Sequence, residues 1–225
     1  MTGTSYSSVY SEFLREHLPP DDRLVLVTLN WRLPADTLAF WNKAQLRLCA
    51  DGDVEDFYRE QGKTEFTNLA EDQDSTDLEK CLTCARQHVA SHADAFPKRC
   101  RTTLLVLGAF GGRLDHTLGN LSVLFANPEA DRATPVVLLG EEGNIARCIP
   151  RGRTVIHPCR EHEGPQCGLL TISGPATCTF TGLKWNLENA KMEMGGLLST
   201  CNVIEEDLIT IDTDTPLLWI TQLRT

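Results

Sequence analysis

Residues 102–116 read Thr-Thr-Leu-Leu-Val-Leu-Gly-Ala-Phe-Gly-Gly-Arg-Leu-Asp-His, and this stretch decides the fold. The apolar run at its start predicts a buried strand, and the glycine turn leads into a helix. The residues with helical spacing are Leu114, Leu118, Leu121 and Phe125. A buried strand, a turn and a helix in this order are typical of a parallel sheet covered by helices.

The turn itself gathers groups that handle phosphate. Gly111 and Gly112 allow the backbone to approach an anion closely, and the start of the helix offers unpaired N–H groups. Arg113 could fork onto phosphate oxygens, Asp115 could hold a metal or a proton, and His116 is a third titratable group. The alternative is a tight turn whose polar residues only cap the helix. Three charged or titratable groups in one turn favour a binding site.

The hydrophobic pattern divides the chain into two parts. Strands alternate with helical stretches over residues 1–145, which predicts an α/β domain with a parallel sheet flanked by helices. Short β-rich runs between Gly, Pro and Asn over residues 146–225 predict an all-β sandwich. The predicted strands are 24–29, 102–107, 135–139, 154–157, 169–172, 177–181, 197–200, 208–211 and 217–221.

Two further helices are predicted before the glycine turn. The first has one apolar face made by Leu38, Trp41, Ala44 and Leu48. The second opens on Thr76 and Glu79, whose spacing is that of a capping box. Its predicted buried face consists of Leu78, Cys81 or Leu82, Ala85 and Val89.

Composition excludes several classes of function. The net charge of -10 argues against broad nucleic-acid binding, although a nucleotide needs only a few local cations. No apolar run is long enough to cross a bilayer, so we expect no membrane partner. Nine cysteines, an odd number, in a chain of 225 residues indicate reduced thiols. The first residues lack a secretory pattern, and we therefore expect a cytoplasmic protein.

Three more motifs accompany the glycine turn. Asp-Gln-Asp-Ser-Thr-Asp at 72–77 precedes a helix, and Thr-Gly-Leu-Lys-Trp-Asn-Leu at 181–187 and Ser-Thr-Cys-Asn at 199–202 lie in the β part. With these motifs in this order around Gly-Gly-Arg-Leu-Asp-His, the chain resembles the eukaryotic type of thiamine pyrophosphokinase. The resemblance extends from about Leu24 to Trp219.

This resemblance implies an N-terminal α/β catalytic, ATP-binding domain, a C-terminal thiamine-binding β-sandwich, and a homodimer with active sites between subunits. It implies transfer of a pyrophosphoryl group from ATP to the hydroxyl of thiamine, which releases AMP and requires Mg²⁺. Phosphoryl-type transfer depends on positioning and charge neutralisation, which suits the carboxylates and the arginine of these motifs.

The resemblance also assigns residues. Asp74 and Asp77 would hold Mg²⁺ and act in catalysis together with Arg113 and Asp115. The nucleotide would contact Asp51, Gly111, Gly112, Arg113 and His116. Thiamine would contact Gln73, Trp185, Ser199 and Asn202, with the Trp185 indole holding the cationic substrate by stacking.

Each assignment has a structural alternative. Asp74 and Asp77 could only stabilise the positive end of their helix, and Gln73 could be a solvated loop amide. Trp185 could belong to the core, and Ser199 and Asn202 could simply finish a turn. A serine is usual in this family where Cys201 stands, which leaves the contact at that position open.

One family segment has no counterpart. A Gly-Asp-Phe-Asp-Ser motif normally lies between an Ala-Asp-Gly-Gly turn and the helix at 77, whereas here Asp51-Gly52 runs directly into Asp53-Val54. We do not interpret residues 52–56 as a degenerate copy, because helical Leu46 and Leu48 lead into the turn without a strand. The resemblance implies that the missing carboxylates are Mg²⁺ ligands. Asp51 and Asp53 could partly take their place. The alternative function is therefore a non-catalytic thiamine-binding, dimer-forming relative or a shortened isoform.

Overall fold

The structure is a computed structural model that describes residues 7–50, 74–92, 100–126, 128 and 132–224. Within these ranges the chain is mostly sheet, with three α-helices: α1 (Thr37–Lys43), α2 (Asp77–Ser91) and α3 (Leu114–Ala126). The strands are β1 (Ser7–Tyr10), β2 (Asp22–Thr28), β3 (Leu46–Cys49), β4 (Arg101–Leu107), β5 (Val136–Leu139), β6 (Asn144–Ile149), β7 (Gly152–His157), β8 (Glu163–Leu170), β9 (Ala176–Thr181), β10 (Leu187–Met192), β11 (Ser199–Val203), β12 (Ile209–Thr213) and β13 (Leu217–Leu223).

An eight-stranded mixed sheet runs through both parts of the sequence, in the order β11-β8-β13-β6-β5-β4-β2-β3. β3, β2, β4 and β5 are parallel, and every pairing from β5 to β11 is antiparallel. The central parallel strands are buried on both faces, as in the all-buried run of β5. This burial explains why their sequences are continuously apolar instead of alternating.

The carboxyl ends of the parallel strands are level with one another. Thr28 pairs in register with both Cys49 and Leu107, and Leu107 pairs with Leu139. The loops that leave these strands therefore emerge side by side at one edge, which we call the carboxyl edge.

A second sheet has five strands in the order β1-β7-β12-β9-β10. One hydrophobic cluster joins it to the antiparallel part of the first sheet, with Phe180 and Ile211 from the second sheet packed with Leu169 and Trp219 from the first. β1 lies at the start of the chain yet pairs with β7, and β6 begins at Asn144. The division at residues 145 and 146 thus falls within β6, and the two-domain assignment stays a prediction.

Most predicted elements are confirmed. The strands predicted at 24–29, 102–107 and 135–139 correspond to β2, β4 and β5, and all six strand predictions after residue 146 fall on observed strands. Thr76 and Glu79 form both hydrogen bonds of the capping box, and Leu78, Leu82 and Ala85 are the buried face of α2. β1, β3, β6 and β10 were not predicted.

The helix predicted through Leu48 is wrong. α1 ends at Lys43, and Ala44 is already extended (φ −73°, ψ 137°). Leu46 and Leu48 then alternate with exposed Arg47 in strand β3, which pairs with β2. A strand therefore does precede Asp51, and the reason given for dismissing residues 52–56 as an acidic turn no longer holds.

The apolar residues of α3 are only partly buried. The helix forms where the spacing predicts it, and Leu124 is buried. Leu114 and Leu118, however, are 69% and 57% exposed. None of the helices in the described part of the chain combines the length and the apolar character needed to span a bilayer.

Candidate active site

The glycine turn connects β4 to α3 at the carboxyl edge. Gly111 and Gly112 have positive φ values of 111° and 63°, which residues with a side chain rarely adopt. The Ala109 N–H donates to the Leu139 carbonyl at 3.3 Å, and the Asn120 amide donates to the Ala109 carbonyl at 2.9 Å. The turn is thus fastened to β5 on one side and to α3 on the other, and it presents the first turn of α3 to solvent.

Arg113 and Asp115 form an exposed, two-pronged ion pair at the start of α3. The Arg113 Nε donates to Asp115 Oδ1 at 3.1 Å, and a second guanidinium nitrogen donates to Oδ2. This hydrogen bonding lowers the pKa of Asp115 and raises the pKa of Arg113. Both groups are charged at neutral pH. Because exposed pairs are weak, phosphate oxygens could replace the carboxylate on the guanidinium at little cost. His116 is also exposed in the same turn.

Asp74 and Asp77 lie at the entrance of α2, which faces the same edge. The Cys49 thiol at the end of β3 is close enough to Cys81, one turn into α2, to contribute to raising the pKa of Cys81, although burial is the main cause. Asp77 is exposed and lies 4.0 Å from the Lys80 ammonium, and Asp74 is exposed as well. The two predicted metal ligands, Asp74 and Asp77, therefore lie at the same edge of the sheet as the glycine turn.

This donor set fits one Mg²⁺ whose shell is completed by phosphate oxygens and water. Mg²⁺ takes only one or two carboxylates in such sites. Within the described ranges, no group of three or more His, Cys, Asp or Glu side chains is arranged to hold a metal by itself. Asp51 and Gln73, predicted to contact the nucleotide and thiamine, lie outside the described residues.

A second cluster forms around Trp185, in the connection between β9 and β10. The indole is 54% exposed, so it is not a core residue. Its backbone is held by Asn202, which is buried: the Trp185 N–H donates to Asn202 Oδ1 at 3.2 Å, and Asn202 Nδ2 donates to the Trp185 carbonyl at 2.9 Å. Asn202 also donates to Ser199 Oγ and accepts from the Val203 N–H. Two donors and two acceptor positions are all that an asparagine side chain has, so none is left for a substrate.

A bulge in β11 creates this arrangement. The pairing with β8 shifts between Ser199 and Asn202, which turns Asn202 inward and leaves Cys201 exposed with a φ of 56°. Bulges commonly re-aim side chains next to functional sites. Lys184, which we did not predict, places its ammonium 4.8 Å from the centre of the Trp185 ring. The indole therefore already holds a cation in this structure.

The structure thus places eight of the predicted residues in two clusters, and Asp74 and Asp77 in neither. Gly111, Gly112, Arg113, Asp115 and His116 share one turn, and Trp185, Ser199 and Asn202 share the other cluster. Among the described residues, no hydrogen bond, ion pair or ring contact joins the two clusters. Trp31, also absent from the predicted set, packs against the glycine turn. Only the fold could reveal it, because it lies eighty residues from that turn.

A parallel sheet with a glycine turn at its carboxyl edge is typical of α/β proteins that bind a ligand at that edge. Two family models match the chain. The thiamin pyrophosphokinase catalytic domain matches residues 53–138, and the thiamin pyrophosphokinase vitamin B1 binding domain matches residues 153–218.

Relatives and solved structures agree with these matches. Thiamine pyrophosphokinase 2 of Arabidopsis thaliana is 36% identical over 92% of this chain and 90% of its own length. Thiamine pyrophosphokinase 1 of Oryza sativa subsp. japonica is 33% identical over 95% of this chain and 96% of its own. The structure of thiamin pyrophosphokinase from Candida albicans shares the fold, with a TM-score of 0.76 at 19% identity over 100% of this chain and 95% of that one. The chain belongs to the thiamine pyrophosphokinase family.

Proposed function

We propose that this protein is a thiamine diphosphokinase, which transfers pyrophosphate from ATP to the hydroxyl of thiamine and gives thiamine diphosphate and AMP. One observation carries the proposal: both family models match, each over the part of the chain that holds one of the two clusters. The glycine turn lies in the first match, and the Trp185 cluster lies in the second. We assign ATP binding to the α/β part and thiamine binding to the β-sandwich on this basis.

The glycine turn supplies the phosphate chemistry. The thiamine hydroxyl oxygen forms a bond to the β-phosphorus of ATP, and the bond from that phosphorus to the bridging oxygen of the α-phosphate breaks. AMP leaves with the bridging oxygen, and the hydroxyl proton passes to water. Arg113 binds phosphate oxygens as their charge shifts, and the first turn of α3 adds backbone N–H donors. Asp115, which Arg113 releases when it binds phosphate, is a carboxylate at neutral pH and accepts a hydrogen bond from the hydroxyl. Asp74 and Asp77 would hold Mg²⁺, which neutralises phosphate charge.

The Trp185 cluster supplies the thiamine site. The exposed indole face stacks on the cationic ring of thiamine, in the way that it now holds the Lys184 ammonium. Ser199 provides a hydroxyl at the rim. All four hydrogen bonds that the Asn202 side chain can form are made within the protein. We therefore propose that Asn202 positions the Trp185 loop and does not make the direct contact with the substrate that the sequence had predicted.

We infer that a segment found in the relatives is missing between Asp51 and the start of α2. The match to the Arabidopsis relative spans 251 residues, more than the 225 of this chain, so some of its positions have no counterpart here. If the absent residues include two metal-binding aspartates, only Asp51, Asp53, Asp74 and Asp77 remain to hold the Mg²⁺ that neutralises phosphate charge. We therefore expect a slower enzyme with a raised requirement for Mg²⁺.

We propose that the protein is a homodimer. Two observations support it: no hydrogen bond, ion pair or ring contact joins the two clusters within the described part of one chain, and Leu114 and Leu118 are exposed beside the glycine turn. In a dimer, the Trp185 cluster of one subunit would face the turn of the other. The double substitution Leu114→Glu and Leu118→Glu should give monomers in sedimentation experiments. Leu38→Glu, at an exposed leucine of α1, should leave the dimer intact.

We also propose a cytoplasmic location, which rests on nine cysteines that form no disulfide. Fractionation of cells with antibody detection tests it, and recovery of the protein in a secretory fraction would contradict it.

The activity is tested by the formation of thiamine diphosphate from Mg–ATP and thiamine, followed by chromatography. Arg113→Ala should lower the turnover about 100-fold or more, because a donor to transition-state charge is lost. Arg153→Ala changes another exposed arginine, in β7, and should have no effect. A wild-type protein that binds thiamine and never forms the diphosphate would leave the non-catalytic relative as the better description.

A further inference from the structure

Trp31 lies directly on the glycine turn. A Cβ atom added to Gly111 would lie 2.5 Å from the Trp31 Nε1, and one added to Gly112 would lie 2.6 Å from its Cη2. Both distances are far below any real contact, so the indole occupies the space that a side chain would need. The two glycines are required here by their backbone angles and also by this tryptophan.

The position of this contact in the sheet is that of a ligand site. In the sheet, β3 lies on one side of β2, and β4 and then β5 lie on the other side. The chain therefore goes from β2 to one side first and then crosses to the other. The gap between β2 and β4 is therefore the point at which the strand order reverses. In open parallel sheets, ligands bind at the carboxyl edge at such a point. The loop after β2 carries Trp31, and the loop after β4 carries Gly111 and Gly112.

Trp31 is also held in place and remains accessible. The backbone N–H of Trp31 donates to the Leu29 carbonyl at 2.8 Å, and the Trp31 Cβ packs on Gly108. The residue is nevertheless 42% exposed, which is unusual for a tryptophan that contacts backbone so closely. A rigid, half-exposed indole beside a turn that handles phosphate has the properties of a stacking platform for a planar ring.

We propose that Trp31 is the platform on which the adenine base of ATP stacks, while the turn and the start of α3 take the phosphates. This inference rests on the proposed function and assigns to that reaction a nucleotide-binding residue outside the motifs. Stacking recognises the flat face of a base instead of its hydrogen-bonding edge. Purine triphosphates should therefore bind with similar affinity, and pyrimidine triphosphates more weakly.

The test compares MgATP with magnesium tripolyphosphate, which has the phosphates and no base, by calorimetry. The variants are Trp31→Phe, which keeps an aromatic ring, and Trp31→Leu, which keeps apolar packing on the glycines and lacks the ring. Trp31→Leu should weaken MgATP binding about 10-fold or more. It should leave the affinities for tripolyphosphate and thiamine unchanged, and Trp31→Phe should stay close to wild type.

Two results would overturn the assignment. Equal loss of ATP and tripolyphosphate affinity in Trp31→Leu would mean that Trp31 only shapes the turn, and unchanged ATP affinity would place the base elsewhere. A wild-type protein that binds thiamine and no ATP would refute the proposed function itself, a different pattern. Fluorescence gives a second measurement that needs no leucine variant. MgATP should quench the wild-type emission more than that of Trp31→Phe, and equal quenching would contradict stacking on Trp31.

Discussion

At the residue scale, Asn202 shows how a buried amide organises an exposed site. Asn202→Ala would leave the Trp185 N–H, the Trp185 carbonyl and the Val203 N–H without their partner. We expect a loss of about 2–4 kcal/mol in the free energy of unfolding, since each unsatisfied buried group costs about 1–3 kcal/mol. Thiamine affinity should fall with it. Urea unfolding and thiamine titration measure the two effects.

Asn186 provides the matched control in the same motif. Its side chain accepts one bond, from the Leu183 N–H, and it is exposed, so Asn186→Ala should cost less than about 1 kcal/mol. If both alanine variants had the same stability and the same affinity for thiamine, Asn202 would not be the residue that positions Trp185.

The glycines of α3 and its preceding turn give a second prediction at this scale. Gly112→Ala should destabilise the protein by about 1–3 kcal/mol, because it forces an alanine into a positive φ and against Trp31. Gly119→Ala, within α3, meets nothing within 4 Å and should stabilise it by about 0.5–1 kcal/mol. Thermal unfolding measures both. A Gly112→Ala variant as stable as Gly119→Ala would contradict the close contact with Trp31.

At the scale of elements, the sequence predicted the fully buried strands correctly and failed at β3, an edge strand of the sheet. β4 and β5 were predictable because both faces are buried, and α2 because Thr76 and Glu79 mark its start. β3 was not, because four residues with two leucines, Leu46 and Leu48, fit the period of a helix and that of a strand equally. Only its pairing with β2 decides between them. β1 was missed for a related reason, since its partner β7 lies far away in sequence.

β3 is the last strand of the eight-stranded sheet in the described part of the chain, and it has a single partner, β2. Backbone amides on an unpaired edge exchange with solvent readily. We expect peptides that contain Leu46–Cys49 to exchange deuterium much faster than peptides from Asp22–Thr28 or Arg101–Leu107. Mass spectrometry measures this directly. Equal protection of all three strands would show that a further segment covers the edge.

At the scale of the whole molecule, one buried ion pair ties distant parts of the chain together. Arg147 in β6 lies 3.5 Å from Glu163 in β8, with both side chains almost fully buried, and it donates to Ser11 Oγ at 3.0 Å. Glu163 also accepts from the Thr221 hydroxyl and from the Cys159 N–H. Burial lowers the pKa of Arg147, and the carboxylate of Glu163 opposes that effect.

Arg147→Met should therefore cost about 3–5 kcal/mol of unfolding free energy, because it leaves a buried carboxylate without its cation. The double variant Arg147→Met with Glu163→Gln should be more stable than Arg147→Met alone. Urea unfolding of Arg147→Met, Glu163→Gln, the double variant and the wild type completes the comparison. If the double variant lost the sum of the two single effects, the residues would act independently and the pair would not couple β6 to β8.

In the candidate site, too, short sequence motifs could be predicted, whereas contacts between residues far apart in the sequence could not. The glycine turn and the two β motifs were predictable because each is a short run whose chemistry is local, as in Gly111 to Asp115. Trp31 was not, since its role depends on β2 and β4 being neighbours. The positioning role of Asn202 was hidden as well, because the bulge in β11 sets its direction. The fold places Asp74 and Asp77 at the same edge of the sheet as the turn, and their role as Mg²⁺ ligands stays a prediction.

The most direct test of the proposed activity is the nucleotide released from Mg–ATP by the purified, folded protein. We predict AMP, in equal amount to thiamine diphosphate, only when thiamine and Mg²⁺ are both present, and no ADP. Chromatography of the nucleotides over time, with and without thiamine, gives the answer. Release of ADP would mean transfer of a single phosphoryl group. An absence of thiamine-dependent AMP from a protein that binds both substrates would contradict the proposed activity.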